Sequence, residues 1–98
     1  MPDLVFEWDA DKDASNLAKH GIGFEDSKLL WQDPFSTTAP CRDWPEDRFM
    51  TVAVIAGKMR TAIHTYREGR IRLISVRRSR KGEIASYETS KMQRKAQP

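Results

Sequence analysis

Two histidines and a run of arginines are the side chains in this sequence best equipped for chemistry. His64 lies in MRTAIHTYR (59–67), and the arginines crowd RIRLISVRRSR (70–80). Glu68-Gly69 between them reads as a two-residue hairpin turn. Counting outward from it pairs Arg67 with Arg70, Thr65 with Arg72 and His64 with Leu73. Partnered residues share a face. One face is therefore expected to carry Ala62, His64, Tyr66, Ile71, Leu73, Ser75 and Arg77. The other carries Ile63, Thr65, Arg72, Ile74, Val76 and Arg78. On this register His64, Ser75 and Arg77 form a polar patch within about two residue steps, where two residues span roughly 7 Å of strand. Imidazole transfers protons near neutral pH, and guanidinium matches phosphate with paired N–H groups, so the patch suits a phosphate ligand. The apolar phase slips within the same stretch. Ile71 and Leu73 point one way, whereas Ile74 and Val76 point the other, as though the strand buried opposite faces at its two ends.

The second histidine, His20, follows Lys19 at the end of a predicted helix. A helix C-terminus favours the protonated imidazole, and the doublet could then hold phosphate. Structural readings stand beside these. Lys19 and His20 suit an ordinary last helical turn, and His64 suits a core histidine hydrogen-bonded to backbone. Arg77 and Arg78 suit surface ion pairs, and Tyr87 suits helix packing.

The elements that must position these groups follow from pattern. LVFEW (4–8) is a strand candidate. Asp9 caps a helix with Ala10, Ala14, Leu17 and Ala18 at helical spacing, and Gly21 is its left-handed stop. A second helix follows Gly23, shows Phe24, Ser27 and Trp31 on one side, and ends before Asp33-Pro34. Trp8 and Trp31 read as core anchors. FSTTAPCRDWPED (35–47) reads as a loop or irregular edge strand, with Trp44 inside it. RFMTVAVIA (48–56) begins a period of two and is followed by a Gly57-Lys58 turn. Ser79 caps a last helix with Ile84, Tyr87 and Lys91 on one face, and the basic tail beyond, 91–98, is expected to fray. The predicted order is β-α-α-β-β-β-α, a small antiparallel sheet with helices packed on it, hence α+β.

At 98 residues the chain suits one domain spanning 1–98. Its net charge of +3 hides an asymmetry. Residues 1–47 carry eleven Asp/Glu and four Lys/Arg, a net of −7, and residues 48–98 carry thirteen Lys/Arg and three Asp/Glu, a net of +10. Six of the twelve residues from Arg70 to Lys81 are basic. That points to an anionic partner, of which nucleic acid is the commonest. No apolar run approaches the roughly 18–20 residues that span a bilayer. Cys41 is the one cysteine. With no second cysteine for an internal disulfide and no secretory pattern in MPDLVFEWD, a cytoplasmic setting is expected. Two histidines and one cysteine argue against a transition-metal site, and no cofactor is expected.

FEWDADK (6–12), NLAKHGIGFED (16–26), DP (33–34), EDRF (46–49), HTYREGRIRLISVRRSRKGE (64–83) and YE (87–88) together resemble the BrnT family of type II toxin–antitoxin ribonucleases. Gly23, Tyr66 and Gly82 depart from that pattern, which has a serine cap, an acidic residue and a charged helix residue at those places. Gly82 weakens its helix by up to about 1 kcal/mol. The resemblance implies a RelE-like fold and RNA cleavage that halts translation. It also implies neutralisation by a co-encoded ribbon-helix-helix antitoxin of the BrnA kind, with promoter DNA bound through the antitoxin complex. It places the RNA site at Lys19, His20, His64, Arg77, Arg78 and Tyr87.

Such cleavage without metal needs a base for the 2′-hydroxyl, cations for the phosphorane charge and an acid for the leaving 5′-oxygen. Arg77 is expected as the clamp, Arg78 and Lys19 on flanking phosphates, and either His64 or His20 as the proton-transfer group. The competing expectation is a module that binds nucleic acid or an acidic protein through residues 67–81 without catalysis.

Overall fold

The structure is a computed structural model that describes residues 3–42 and 47–96. Trp44 and the rest of 43–46 lie outside the described residues. Among the described residues five strands form one sheet in the order β1-β5-β4-β3-β2. β1 is Phe6–Glu7, β2 Thr37–Pro40, β3 Phe49–Ile55, β4 Lys58–Arg67 and β5 Arg70–Arg78. α1 (Ala10–His20) and α2 (Phe24–Ser27), which runs on as a 3-10 turn over Lys28–Gln32, precede β2, and α3 (Lys81–Ala96) closes the chain. The class is α+β, as expected, but the sheet is mixed. β1 pairs in parallel with β5, Phe6 beside Ile71 and Glu7 beside Arg72, while the other three strand pairs are antiparallel.

The local signals explain most element ends. Asp9 Oδ1 accepts from the Asp11 and Lys12 amides at 2.8 and 3.4 Å, and Gly21 adopts φ 72° with its N–H on the Leu17 carbonyl. Gly23 brings no side chain to cap α2, so Asp13 of α1 supplies one, accepting from the Phe24 amide at 2.7 Å. Arg67 and Arg70 flank the Glu68-Gly69 turn, both of whose residues have positive φ, 52° and 77°, as a type I′ turn requires. The β3–β4 turn is Ala56-Gly57, one residue earlier than the sequence suggested, with φ 50° and 79°. The prolines of 35–47 do not prevent Thr37–Pro40 from pairing along the free edge of β3, where a proline costs no ladder bond. α3 runs to Ala96, with Arg94 donating to the Pro34 and Ser36 carbonyls.

Two layers of side chains enclose the sheet. On one face Ala53, Ala62, Ile71, Leu73 and Val76 bury against Ile22, Phe24 and Leu30, with Phe6, Trp8 and Trp31 packed at the margin. On the other face α3 lays Tyr87 against the sheet. The helical stripe of α1 does not face the core. Leu17 is 54% exposed, Ala10, Ala14 and Ala18 are exposed too, and the one buried α1 residue is Asn16. Its amide Nδ2 donates to the Ile22 and Val76 carbonyls, both at 2.9 Å, and its Oδ1 accepts from the Val76 amide at 3.0 Å. β1 is too short to reach Val76, so a side chain satisfies the strand edge there.

Candidate functional site

The arginine strand is bulged. His64 pairs with Leu73, but the next residue, Ile63, pairs with Ser75, so Ile74 is an extra residue with no partner in the ladder. Beyond it, Ala62 pairs with Val76 and Thr61 with Arg77. The expectation that His64, Ser75 and Arg77 share a face is therefore overturned. Val76 joins Ile71 and Leu73 on the core face, and Ser75 and Arg77 turn to the α3 face. The phase slip in RIRLISVRR is the extra residue.

His64 is fully buried on the core face. Trp31, Phe49 and Tyr66 surround its ring at centroid distances of 5.2, 6.2 and 5.4 Å. Its Nε2 meets Thr51 Oγ1 at 2.8 Å, and Thr51 meets Thr38 Oγ1 at 2.7 Å. Nδ1 has no hydrogen-bond partner. Burial holds the imidazole pKa down to about 4, so His64 is neutral at physiological pH. A proton on Nε2, donated to Thr51, leaves only a bare acceptor at Nδ1, the cheaper of the two tautomers.

Arg77 stands on the opposite face in a cleft of about 310 Å³. Arg42, Arg48 and Arg80 line it with Arg77, over Met50, Ile63 and Ile74. Glu83, from the first turn of α3, is the one carboxylate among the described lining residues. It takes Arg77 bidentately, Nη1 to Oε1 and Nη2 to Oε2, each at 2.8 Å. Oε1 also accepts from the Arg80 amide at 2.8 Å and from Thr61 Oγ1 at 2.9 Å. The Arg80 bond is half of a capping box, so Glu83 closes the start of α3. Ser79, the expected cap, instead meets Thr61 Oγ1 at 2.8 Å. The Arg77 hydrogen bonds hold the Glu83 carboxyl down to about 2, with burial opposing them and the Arg80 and Thr61 bonds adding to them. The same bonds raise Arg77 further.

Lys19 and His20 line a second cleft of about 190 Å³, together with Lys12, Ser15 and Asn16. Its remaining wall is Ile74 and Ser75, which also line the arginine cleft. The two clefts therefore adjoin on either side of the bulge. Lys19 is exposed and His20 half-buried. Arg78 is exposed on the other sheet face, across from Arg60, whose Nη1 donates to the His20 carbonyl at 3.2 Å. It flanks the end of α1 rather than sharing the cleft with Arg77.

Tyr87 is 2% exposed, and its hydroxyl donates to Asp33 Oδ2 at 2.6 Å. Asp33 also accepts from the Phe35 and Val54 amides at 2.9 and 3.0 Å. Burial raises the Tyr87 pKa and the Asp33 bond adds to it. Burial opposes the Asp33 charge, but the bonds from Tyr87, Phe35 and Val54 with Lys91 outweigh it and lower its pKa. The contribution of Arg42, Arg48, Glu83 and Asn16 was not foreseen from sequence. Glu83 carried a usable signal, since a Glu three residues after a helix start is the capping-box position. Among the described residues no three His, Cys, Asp or Glu side chains gather as metal ligands, and no helix is long and apolar enough to cross a membrane.

Fold and site together define a small α+β domain with two adjoining basic clefts, one mostly on the basic C-terminal half and one whose basic residues belong to α1. The family described as ribonuclease toxin, BrnT, of type II toxin–antitoxin systems matches residues 8–83. No curated protein matches the sequence at a significant level. The chain belongs to the BrnT family of type II toxin–antitoxin ribonuclease toxins.

Proposed function

We propose that this chain cleaves single-stranded RNA without metal, by attack of a 2′-hydroxyl on the adjacent phosphorus with departure of the 5′-oxygen, on the surface that its two adjoining clefts flank. The observation that carries this reading is the shared Ile74–Ser75 wall, which sets His20 and Lys19 beside the arginine cleft. His20 is the proton-transfer group. His64, enclosed by three rings and fully buried, holds the core instead. Arg77 neutralises the phosphorane charge once phosphate competes with Glu83 for its guanidinium, and Lys19 and Arg78 hold flanking phosphates. The Tyr87 hydroxyl serves α3 packing through Asp33. A co-encoded ribbon-helix-helix antitoxin of the BrnA kind silences the activity in the cytoplasm, and its complex with the toxin binds promoter DNA through the antitoxin.

The test is cleavage of single-stranded RNA in EDTA by wild type, His20→Ala, His64→Ala and the double variant. Loss of general acid–base catalysis lowers the rate about 10²-fold or more. That loss is expected for His20→Ala, and full activity there, or abolition of wild-type cleavage by EDTA, overturns the mechanism. Salt-dependent binding with intact RNA would favour a non-catalytic module. Growth arrest relieved by the neighbouring gene's product tests the antitoxin.

A further inference from the structure

A third cavity, about 390 Å³, opens beside the arginine cleft between α3 and the β2–β3 edge of the sheet. That volume lies within the roughly 300–1,000 Å³ of small-molecule pockets. Met50, Arg80 and Glu83 line both spaces, so they are neighbouring compartments of one groove. Their chemistry differs. The arginine cleft holds four arginines, whereas this cavity has Val52 and Tyr87, 4% and 2% exposed, at its base and Met50 and Ala39 as apolar lining, with Gly82 and Ser86 exposed at its margin. Gly82 lines the cavity, and a β-carbon placed on it meets nothing within 4 Å, so a larger side chain fits there without a clash.

We propose that this cavity is a nucleobase pocket, seating the base that neighbours the phosphate held in the arginine cleft. The assignment rests on the RNA reading of that cleft. A nucleotide is an anionic group joined to a flat body with apolar faces and a polar edge, which is the order of surfaces the groove presents. Met50 and Ala39, over the buried Val52 and Tyr87, offer an apolar surface to lie against. Ser86 and Thr37 supply hydroxyls at the edge; Thr37 Oγ1 donates to the Phe35 carbonyl and keeps its acceptor side. RNA recognition commonly splays single-stranded bases into sites of this kind. Gly82 lines the pocket without a side chain, so a bulky substitution there is the probe of it.

Short homopolymeric single-stranded RNAs of A, C, G and U, and an abasic ribose-phosphate oligomer, test this against wild type, Gly82→Ala and Gly82→Leu. Wild type is expected to prefer one base over the abasic oligomer by about tenfold, the scale of one base contact. Gly82→Leu is expected to bind all five probes at the abasic level, with a melting temperature no lower than wild type because glycine is the poorer helix former. Gly82→Ala falls between. An unchanged base preference in Gly82→Leu overturns the pocket, as does a wild type indifferent to removal of the bases; the latter needs no variant to fold. In either case weakened binding in Lys19→Ala and Arg78→Ala would leave the phosphate reading standing. Failure of wild type to bind any RNA overturns both.

Discussion

Arg77 and Glu83 face each other through two parallel hydrogen bonds of 2.8 Å, so a carboxylate occupies the arginine's fork where a phosphate would sit. The pair is mostly buried, with side-chain exposures of 18% and 11%. Glu83 thus limits the positive charge of the cleft while fixing the start of α3. Glu83→Gln should bind single-stranded RNA more tightly, with the slope of log affinity against log salt steeper by about 0.7. It should also be less stable by about 1–3 kcal/mol, since Arg77 keeps its charge and loses its counter-ion. Binding titrations across salt and urea melts read both. Weaker binding with a shallower slope would mean that Arg77 works only when Glu83 holds it.

Acid should weaken the fold in two separate windows. His64 has its pKa lowered from 6.5 to about 4, so the unfolded chain takes up its proton first. Its contribution is complete above pH 6.5 and drains away as pH falls to 4, on the order of 3 kcal/mol in all. Glu83 follows lower down, complete above pH 4.5 and lost toward pH 2. Urea midpoints between pH 7 and 5 should therefore fall in wild type and stay nearly flat in His64→Phe. Parallel slopes in the two proteins would remove His64 as the cause.

Much of this fold could be read residue by residue. The Asp9 and Gly21 caps, the Glu68-Gly69 turn and the break at Asp33-Pro34 are local, and each was legible because one or two side chains decide it. Pairing was not. The slip from Leu73 to Val76 fits either a strand that switches faces or one carrying an extra residue, and only the partner strand's register chooses between them. That choice moved His64 into the core and left Arg77 on the groove. β1 likewise carries no mark of running parallel to β5. The amphipathic spacing of α1 misled for another reason. Its buried contact is the amide of Asn16 on the Val76 backbone, a hydrogen-bonding role invisible to a search for apolar stripes.

Asn16 and Leu17 should consequently respond in the reverse of the usual order. Asn16→Ala leaves the Val76 amide and carbonyl and the Ile22 carbonyl without their partner. Its expected cost is about 2–4 kcal/mol, by the scale of roughly 1–3 kcal/mol for each buried polar group left unsatisfied. Leu17→Lys alters an exposed position and should stay within about 0.5 kcal/mol of wild type. Urea unfolding of both variants checks this, and a costly Leu17→Lys would show that α1 packs by its apolar stripe after all.

The two hairpin turns offer a route to a more stable protein that leaves the clefts untouched. Ala56 and Glu68 hold φ of 50° and 52° as the first central residues of their turns, a region that strains residues with a β-carbon. Each is followed by a glycine at φ 79° or 77°, so Asn in the first place completes the Asn-Gly pair that type I′ turns favour. Asn tolerates this conformation better than Ala or Glu because its amide hydrogen-bonds locally. Ala56→Asn and Glu68→Asn should each add about 0.4–1 kcal/mol, the scale of backbone substitutions that relieve or match turn geometry. The sites lie at opposite ends of β4, so their gains should add in the double variant. Thermal melts of the singles and the double read the sum, and a loss of stability at either site would mean that its turn does not hold the left-handed conformation in solution.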